Sequence, residues 1–158
     1  MSLEFYSPTK GQLDLYGVAE EIVAYVKTAP ESSYSLLIGT DSHRHSPEVD
    51  YVSAIVIHRQ GHGGRYFWTK EKRKNSPTLR DQIYQETLMS IDLAKKLFDT
   101  ISEKILSLYN IEIHIDAGQR GPTREVIREV VGMVRGYGFD AKTKPEAYAA
   151  STVADKYT

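Results

Sequence analysis

Ser35-Leu-Leu-Ile-Gly-Thr-Asp41 is apolar on both alternating faces from Leu36 to Ile38 and turns polar only toward its end. A strand with one solvated face would alternate apolar and polar residues, so this one reads as a central strand covered on both sides. Asp41 falls where that strand is expected to end. Toward the N-terminus, Leu15, Val18, Ala19, Ile22, Val23 and Val26 recur on one face within Leu13–Lys27, which predicts an amphipathic helix. Toward the C-terminus, His43–Asp50 reads as a polar loop and Tyr51–Arg59 as a second strand with β-branched residues on both faces. Gly61-His-Gly-Gly64 turns the chain into a third strand through Tyr66, Phe67 and Trp68, giving an antiparallel meander.

Asn75-Ser-Pro77 supplies a helix start with Pro at the first position, and Leu79, Ile83, Leu93, Leu97 and Ile101 extend a long helix to about Tyr109. Ile111–Asp116 predicts a fourth strand with Ile111, Ile113 and Ile115 on one face and Glu112, His114 and Asp116 on the other. A helix from Pro122 or Thr123 carries Val126, Val130, Met133 and Val134 inward, and Gly136-Tyr-Gly138 stops it. Phe139–Lys144 is a short peripheral strand. A last helix follows over Glu146–Lys156, rich in Ala and able to approach a neighbour closely. Three strands followed by alternating helix and strand imply an α/β fold: a five-stranded mixed sheet, with helices on both faces and an extra N-terminal helix. The expected layout is one domain over 1–158, with an accessory helix over 11–28 and a core over 35–158.

Composition narrows the chemistry. With 158 residues, 26% charged and 41% hydrophobic, the chain is of ordinary globular kind, and no run of about 18 apolar residues or basic-then-apolar start marks a membrane span or signal peptide. Cytoplasm is the default location. There is no Cys, which excludes disulfides, thiol nucleophiles and thiolate metal sites and leaves carboxylates and His as metal ligands. Any metal is then expected to be hard, Mg²⁺ or Mn²⁺. The net charge of −1 advertises no strongly basic nucleic-acid binder, although Lys70, Lys72, Arg73 and Lys74 cluster and Arg120, Arg124, Arg128 and Arg135 recur. These read first as solvated turns and helix faces.

Asp41 and Asp116 carry the chemical signal, because ligands of open α/β sheets bind beyond the carboxyl ends of strands. Each alone reads first as a loop-starting or capping residue; together, on neighbouring strands, they form a candidate site. Glu86 falls between Ile83 and Leu93 on the stripe of the long helix, where a carboxylate is costly unless paired or metal-bound, or else sits at the stripe's exposed edge. Asp155 opposes the dipole near the end of the last helix, a weak signal by itself. His114 shares a face with Asp116 and reads as a core histidine or as a group that orients a carboxylate or water. His43, His45, Lys144 and Lys156 lie close by in sequence and read as loop or surface residues.

Gly39-Thr-Asp-Ser-His43, His114-Ile-Asp-Ala-Gly118 with Gly121-Pro-Thr123, and Lys144-Pro-Glu-Ala-Tyr-Ala-Ala-Ser-Thr-Val-Ala-Asp-Lys156 together resemble the bacterial YkuK-like family of predicted ribonuclease H-like nucleases. The resemblance runs from about Ser35 onward. It implies a five-stranded sheet in which acidic residues of the first strand, first core helix, fourth strand and last helix meet, and Asp41, Glu86, Asp116 and Asp155 occupy those places in order. It further implies two Mg²⁺ or Mn²⁺ ions about 3.5–4 Å apart around a scissile phosphate, one activating water and the other stabilising the leaving oxygen. The expected activity is therefore metal-dependent hydrolysis of nucleic-acid phosphodiesters. A nucleic-acid- or protein-binding module without turnover is the alternative, since fold alone does not establish chemistry. A nucleotide-binding phosphotransferase, suggested by Asp116-Ala-Gly118, is disfavoured because 158 residues without a repeat cannot clamp ATP between two duplicated domains.

Overall fold

A computed structural model describes residues 3–45, 47–74, 78–101, 111–118, 121–144 and Tyr157. Among them the strands are β1 (Phe5–Ser7), β2 (Gly11–Leu13), β3 (Tyr34–His45), β4 (Glu48–Arg59), β5 (Gly63–Lys74), β6 (Ile111–Gly118) and β7 (Asp140–Lys144). The helices are α1 (Leu15–Thr28), α2 (Leu79–Thr100) and α3 (Arg124–Gly136). The strands form one seven-stranded mixed sheet in the order β2-β1-β5-β4-β3-β6-β7. The expected meander is β3-β4-β5, with β6 and then β7 added in parallel to β3. None of the described helices is long and apolar enough to cross a membrane.

The sheet has seven strands rather than the expected five because residues 5–13, of which 11–13 fall in the stretch assigned to the accessory helix, form a small hairpin on the β5 edge, pairing Tyr6 with Trp68. Three-residue strands are too short to show a period, so only the buried Phe5 betrays them. The same hairpin explains why α1 starts at Leu15 and not Leu13: Asp14 is the N-cap, its side chain accepting from Gly17 N–H at 2.8 Å.

A second correction concerns His43–Asp50, which is no loop. β3 and β4 stay paired as far as His45↔Glu48, and β5 follows them as far as Lys74↔Glu48. The three twelve-residue strands thus make an arm whose far end is polar. Its ladder of backbone bonds is supplemented by cross-strand charge pairs: Asp50 Oδ2 lies 3.4 Å from His45 Nε2 and 3.5 Å from Lys70 Nζ. At the near end, a Cβ on Gly64 would collide with the Ile57 carbonyl oxygen, so only Gly allows this approach between β4 and β5.

One main core fills the face covered by the three described helices. Leu36, Ile38, Ile55, Ile57, Phe67, Ile113 and Ile115 of the sheet meet Val18 and Ile22 of α1, Ile83, Leu93 and Leu97 of α2, and Val126, Ile127, Val130 and Val134 of α3. α2 is capped by Thr78, whose hydroxyl accepts from Asp81 N–H at 3.1 Å, rather than from the predicted Asn75-Ser-Pro77, which lies outside the described residues. Its expected stripe is buried except at its start, where Leu79 is exposed. The helix closes at Thr100, and the predicted continuation to Tyr109 is outside the described residues. α3 stops at Gly136, with Gly138 at φ 89° after it, as its sequence leads one to expect. The last helix expected over 146–156, and with it any helix on the second face, also lies outside the described residues.

Candidate active site

Strand register fixes which residues share a face, because directly opposed residues point the same way and neighbours alternate. Thr40 opposes Ser53, and both face α2: Thr40 Oγ1 is 2.8 Å from Ser53 Oγ and 2.8 Å from Ser90 Oγ in a buried hydroxyl cluster. Asp41, one residue on, therefore faces the opposite way with Val52 and Lys70. β6 keeps the expected alternation, with Ile113 and Ile115 in the main core and Glu112, His114 and Asp116 on the Asp41 side.

Parallel pairing between β3 and β6 runs from Leu36↔Ile111 to Gly39↔His114 and stops there. Asp41 and Asp116 each stand two residues beyond that last pair. Neither closes its strand, contrary to expectation: β3 continues to His45 and β6 to Gly118. The relevant end is that of the parallel ladder, where pairing ceases; ligands of open α/β sheets bind in the crevice outside such strand ends.

Glu86 reaches this crevice from α2. Its Oε2 accepts from Ser42 Oγ at 2.6 Å and from Gln82 Nε2 at 3.5 Å. Its carboxyl is nevertheless pushed up from 4.5 to about 7. Burial is the largest cause; the Ser42 and Gln82 hydrogen bonds work against it, and the charges of Asp41 and Asp116 add to it. The inward reading of Glu86 is thus the one that holds, and two further expected site residues, Asp41 and Asp116, act on it electrostatically. Asp155, the fourth, lies outside the described residues.

Other groups complete the surroundings. Lys144 Nζ sits 2.7 Å from Asp116 Oδ1, an ion pair from the end of β7. Tyr51, opposite Ser42 and buried, has its hydroxyl pushed up by burial and then by the Glu86 charge, so it stays protonated. His114 is neither a solvated ligand nor, among the described residues, a hydrogen-bonded core residue: it is 5% exposed, neither ring nitrogen has a hydrogen-bond partner there, and Nε2 is 3.8 Å from Glu112 Oε1. Burial lowers its pKa to about 4, with the Lys142 charge adding to the effect, so the ring is neutral at pH 7. His43 and His45 pack edge to face at 4.6 Å on the arm, and His45 pairs with Asp50. Sequence reading missed Ser42 and Gln82 as partners of Glu86. The i, i+4 spacing of Gln82 and Glu86 was the available signal for one, and alternation past Asp41, which turns Ser42 toward α2, for the other.

The donor set suits a hard divalent cation: three carboxyl groups, one of them raised to about 7 by burial and further by the charges of the other two, would all gain from one. Among the described residues, no group of three or more His, Asp or Glu side chains is gathered closely enough to hold a metal as it stands.

Residues 17–158 match the ribonuclease H-like family. The chain belongs to that family. A relative, the uncharacterized protein YkuK of Bacillus subtilis (strain 168), is 31% identical over 169 residues, covering 99% of this chain and 98% of its own. Among solved structures, RNase H1 from the halophilic archaeon Halobacterium salinarum NRC-1 matches with a TM-score of 0.41 and 13% identity, over 77% of this chain and 96% of that one. The ribonuclease H-like assignment agrees with the mixed sheet, and the YkuK-like resemblance read from the three sequence motifs stands.

Proposed function

We propose that this ribonuclease H-like protein is a metal-dependent nuclease hydrolysing phosphodiester bonds of nucleic acid. The observation that carries the reading is the convergence of the Asp41 and Asp116 charges on Glu86 where β3 and β6 part, added to the burial that is the main cause of its carboxyl rising to about 7. Asp41, Glu86 and Asp116, with Asp155, would hold Mg²⁺ or Mn²⁺, two ions being expected. Bound there, such ions supply Lewis-acid stabilisation of phosphoryl oxygens and an activated water.

The chain's own groups have definable tasks. Ser42 and Gln82 fix one oxygen of Glu86 and leave the other to a ligand or to a proton. Lys144 holds Asp116 in place and partly neutralises it, and it would shift toward substrate phosphate as Asp116 takes up metal. Tyr51, protonated, closes the α2 side of the crevice without adding negative charge.

The Lys144–Asp116 pair also supports a second reading, a binding module in which an ammonium replaces the metal. A panel of single strands, RNA–DNA hybrids and branched DNA, incubated with Mg²⁺ or Mn²⁺, separates the two. Cleavage that disappears in Asp41→Asn/Asp116→Asn is expected; cleavage unchanged in that variant refutes the assigned site, and binding without any cleavage favours the module.

A further inference from the structure

The arm formed by β3, β4 and β5 has a face that the carboxylates do not use. Lys70, Lys72 and Lys74 alternate with Glu71 and Arg73 along β5, so they project to one side of the sheet. Register identifies that side: Lys70 opposes Val52, which opposes Asp41, while Lys72 opposes Asp50, which opposes His43. The three lysines therefore lie on the Asp41 face, although their cluster reads in sequence as a solvated turn. The row through Asp41 crosses two strand spacings to Lys70, about 10 Å, and Lys74 lies about 14 Å farther along the strand.

Charge on the opposite side is already compensated, since Arg73 Nη2 pairs with Glu71 Oε2 at 3.0 Å. On the lysine side, Lys70 is tethered by buried Asp50, which also takes His45, and Glu48 is the other carboxylate in that row. Among the described residues, Lys72 and Lys74 take no ion-pair partner, and both are exposed. Trp68, the next residue of β5 on this face, stacks on Tyr157 at 4.2 Å and meets Tyr6 at 4.8 Å, so an aromatic row continues the strip inward.

We infer that the Lys70–Lys72–Lys74 strip is a binding surface for the sugar–phosphate backbone of a nucleic-acid strand that extends from the carboxylate site. The inference rests on the nuclease reading. The three lysines recur about every 7 Å along β5, a spacing at which successive side chains can meet successive phosphates of one extended strand. The contacts are to phosphate, so they position the strand without reading its sequence. Glu48 and Asp50 limit the strip's net charge, and Asp50 orients Lys70.

The test is salt-dependent binding of a fluorescein-labelled 20-nucleotide single-stranded DNA in EDTA, with cleavage by the unaltered protein in Mg²⁺ measured in parallel. Removing two phosphate contacts with Lys72→Gln/Lys74→Gln lowers the slope of log K against log salt by about 1.4, so the unaltered protein loses about sevenfold more affinity than the variant between 50 and 200 mM salt. Lys72→Arg/Lys74→Arg restores the slope. Lys27→Gln/Arg135→Gln removes the same charge from α1 and α3 and leaves it alone. A slope unchanged in Lys72→Gln/Lys74→Gln, or lowered equally in Lys27→Gln/Arg135→Gln, overturns the strip even where cleavage succeeds. Binding with the expected slope change but no cleavage of any member of the substrate panel keeps the strip and removes the nuclease reading. No binding by the unaltered protein overturns the strip and leaves the nuclease reading to the cleavage panel.

Discussion

Replacing Glu86 by Gln should stabilise the protein in alkaline buffer and do little in acid. The carboxyl titrates at about 7 in the fold against 4.5 when unperturbed, which at 1.36 kcal/mol per pH unit is about 3 kcal/mol. The folded protein binds the proton more tightly than the unfolded chain, so stability falls as pH rises from 4.5 through 7, and the full cost is present above that. Gln is uncharged and of the same shape, and its Oε1 can still accept from Ser42 Oγ. Weakening of that charge-assisted bond reduces the expected gain to about 2–3 kcal/mol at pH 8, or roughly 4–12 °C in Tm for a chain of this size. His114 has the opposite sign. Its folded pKa of about 4 lies below 6.5, so its contribution is complete above 6.5 and is lost as pH falls toward 4. Between 4.5 and 6.5 the two groups offset each other in the unaltered protein, and Glu86→Gln exposes the slope of His114. Thermal melts of both proteins in matched EDTA buffers from pH 4.5 to 8 measure this directly. A Tm difference that stays flat with pH, or a variant less stable at pH 8, would refute the electrostatic reading of the crevice.

Mg²⁺ at ten times its dissociation constant should stabilise the unaltered protein by about 1.4 kcal/mol, visible as a rise in Tm; Asp41→Asn/Asp116→Asn should show no rise. His114→Leu removes two ring nitrogens that lack partners among the described residues and should melt at or above the unaltered protein at pH 5, where the unfolded histidine is protonated and the buried one is not. Gly64→Ala should cost about 1–3 kcal/mol in urea unfolding, because the added methyl meets the Ile57 carbonyl and the end of the β4–β5 ladder must shift.

Much of this fold is legible where apolar period is strong. β3, β4, α1, the body of α2, β6 and α3 all follow from runs or stripes of Leu, Ile and Val, and each is buried as read. Legibility fails where stability comes from something other than burial. The β1–β2 hairpin is held by edge pairing over three residues, and the polar end of the arm by a three-strand ladder with His45, Asp50 and Lys70 paired across it. Neither leaves a period in the sequence. The site divides the same way. Asp41 and Asp116 stand out as acids ending apolar runs, whereas the choice between an inward and an edge position for Glu86 depends on what faces the helix, and only packing places Ser42, Tyr51 and the two aspartates there.

The point at which β3 and β6 stop pairing links fold to chemistry. While the strands are parallel neighbours, their two faces are separate, with helices and isoleucines on one and Glu112 and His114 on the other. Past Gly39 and His114 the ladder no longer divides them, and Glu86 from the helical side meets the charges of Asp41 and Asp116 from the opposite side. Ser42 belongs to the helical face and Asp41 to the other, so two consecutive residues of one strand serve both halves of the crevice. A one-residue slip of β3 would turn Asp41 toward α2 and Ser42 away, placing a second carboxylate beside half-buried Glu86 and removing its Ser42 donor. Twelve consecutive pairs with β4, and the apolar residues that alternate through them, make that slip costly. The long arm, polar though its end is, therefore helps to hold the carboxylates in register.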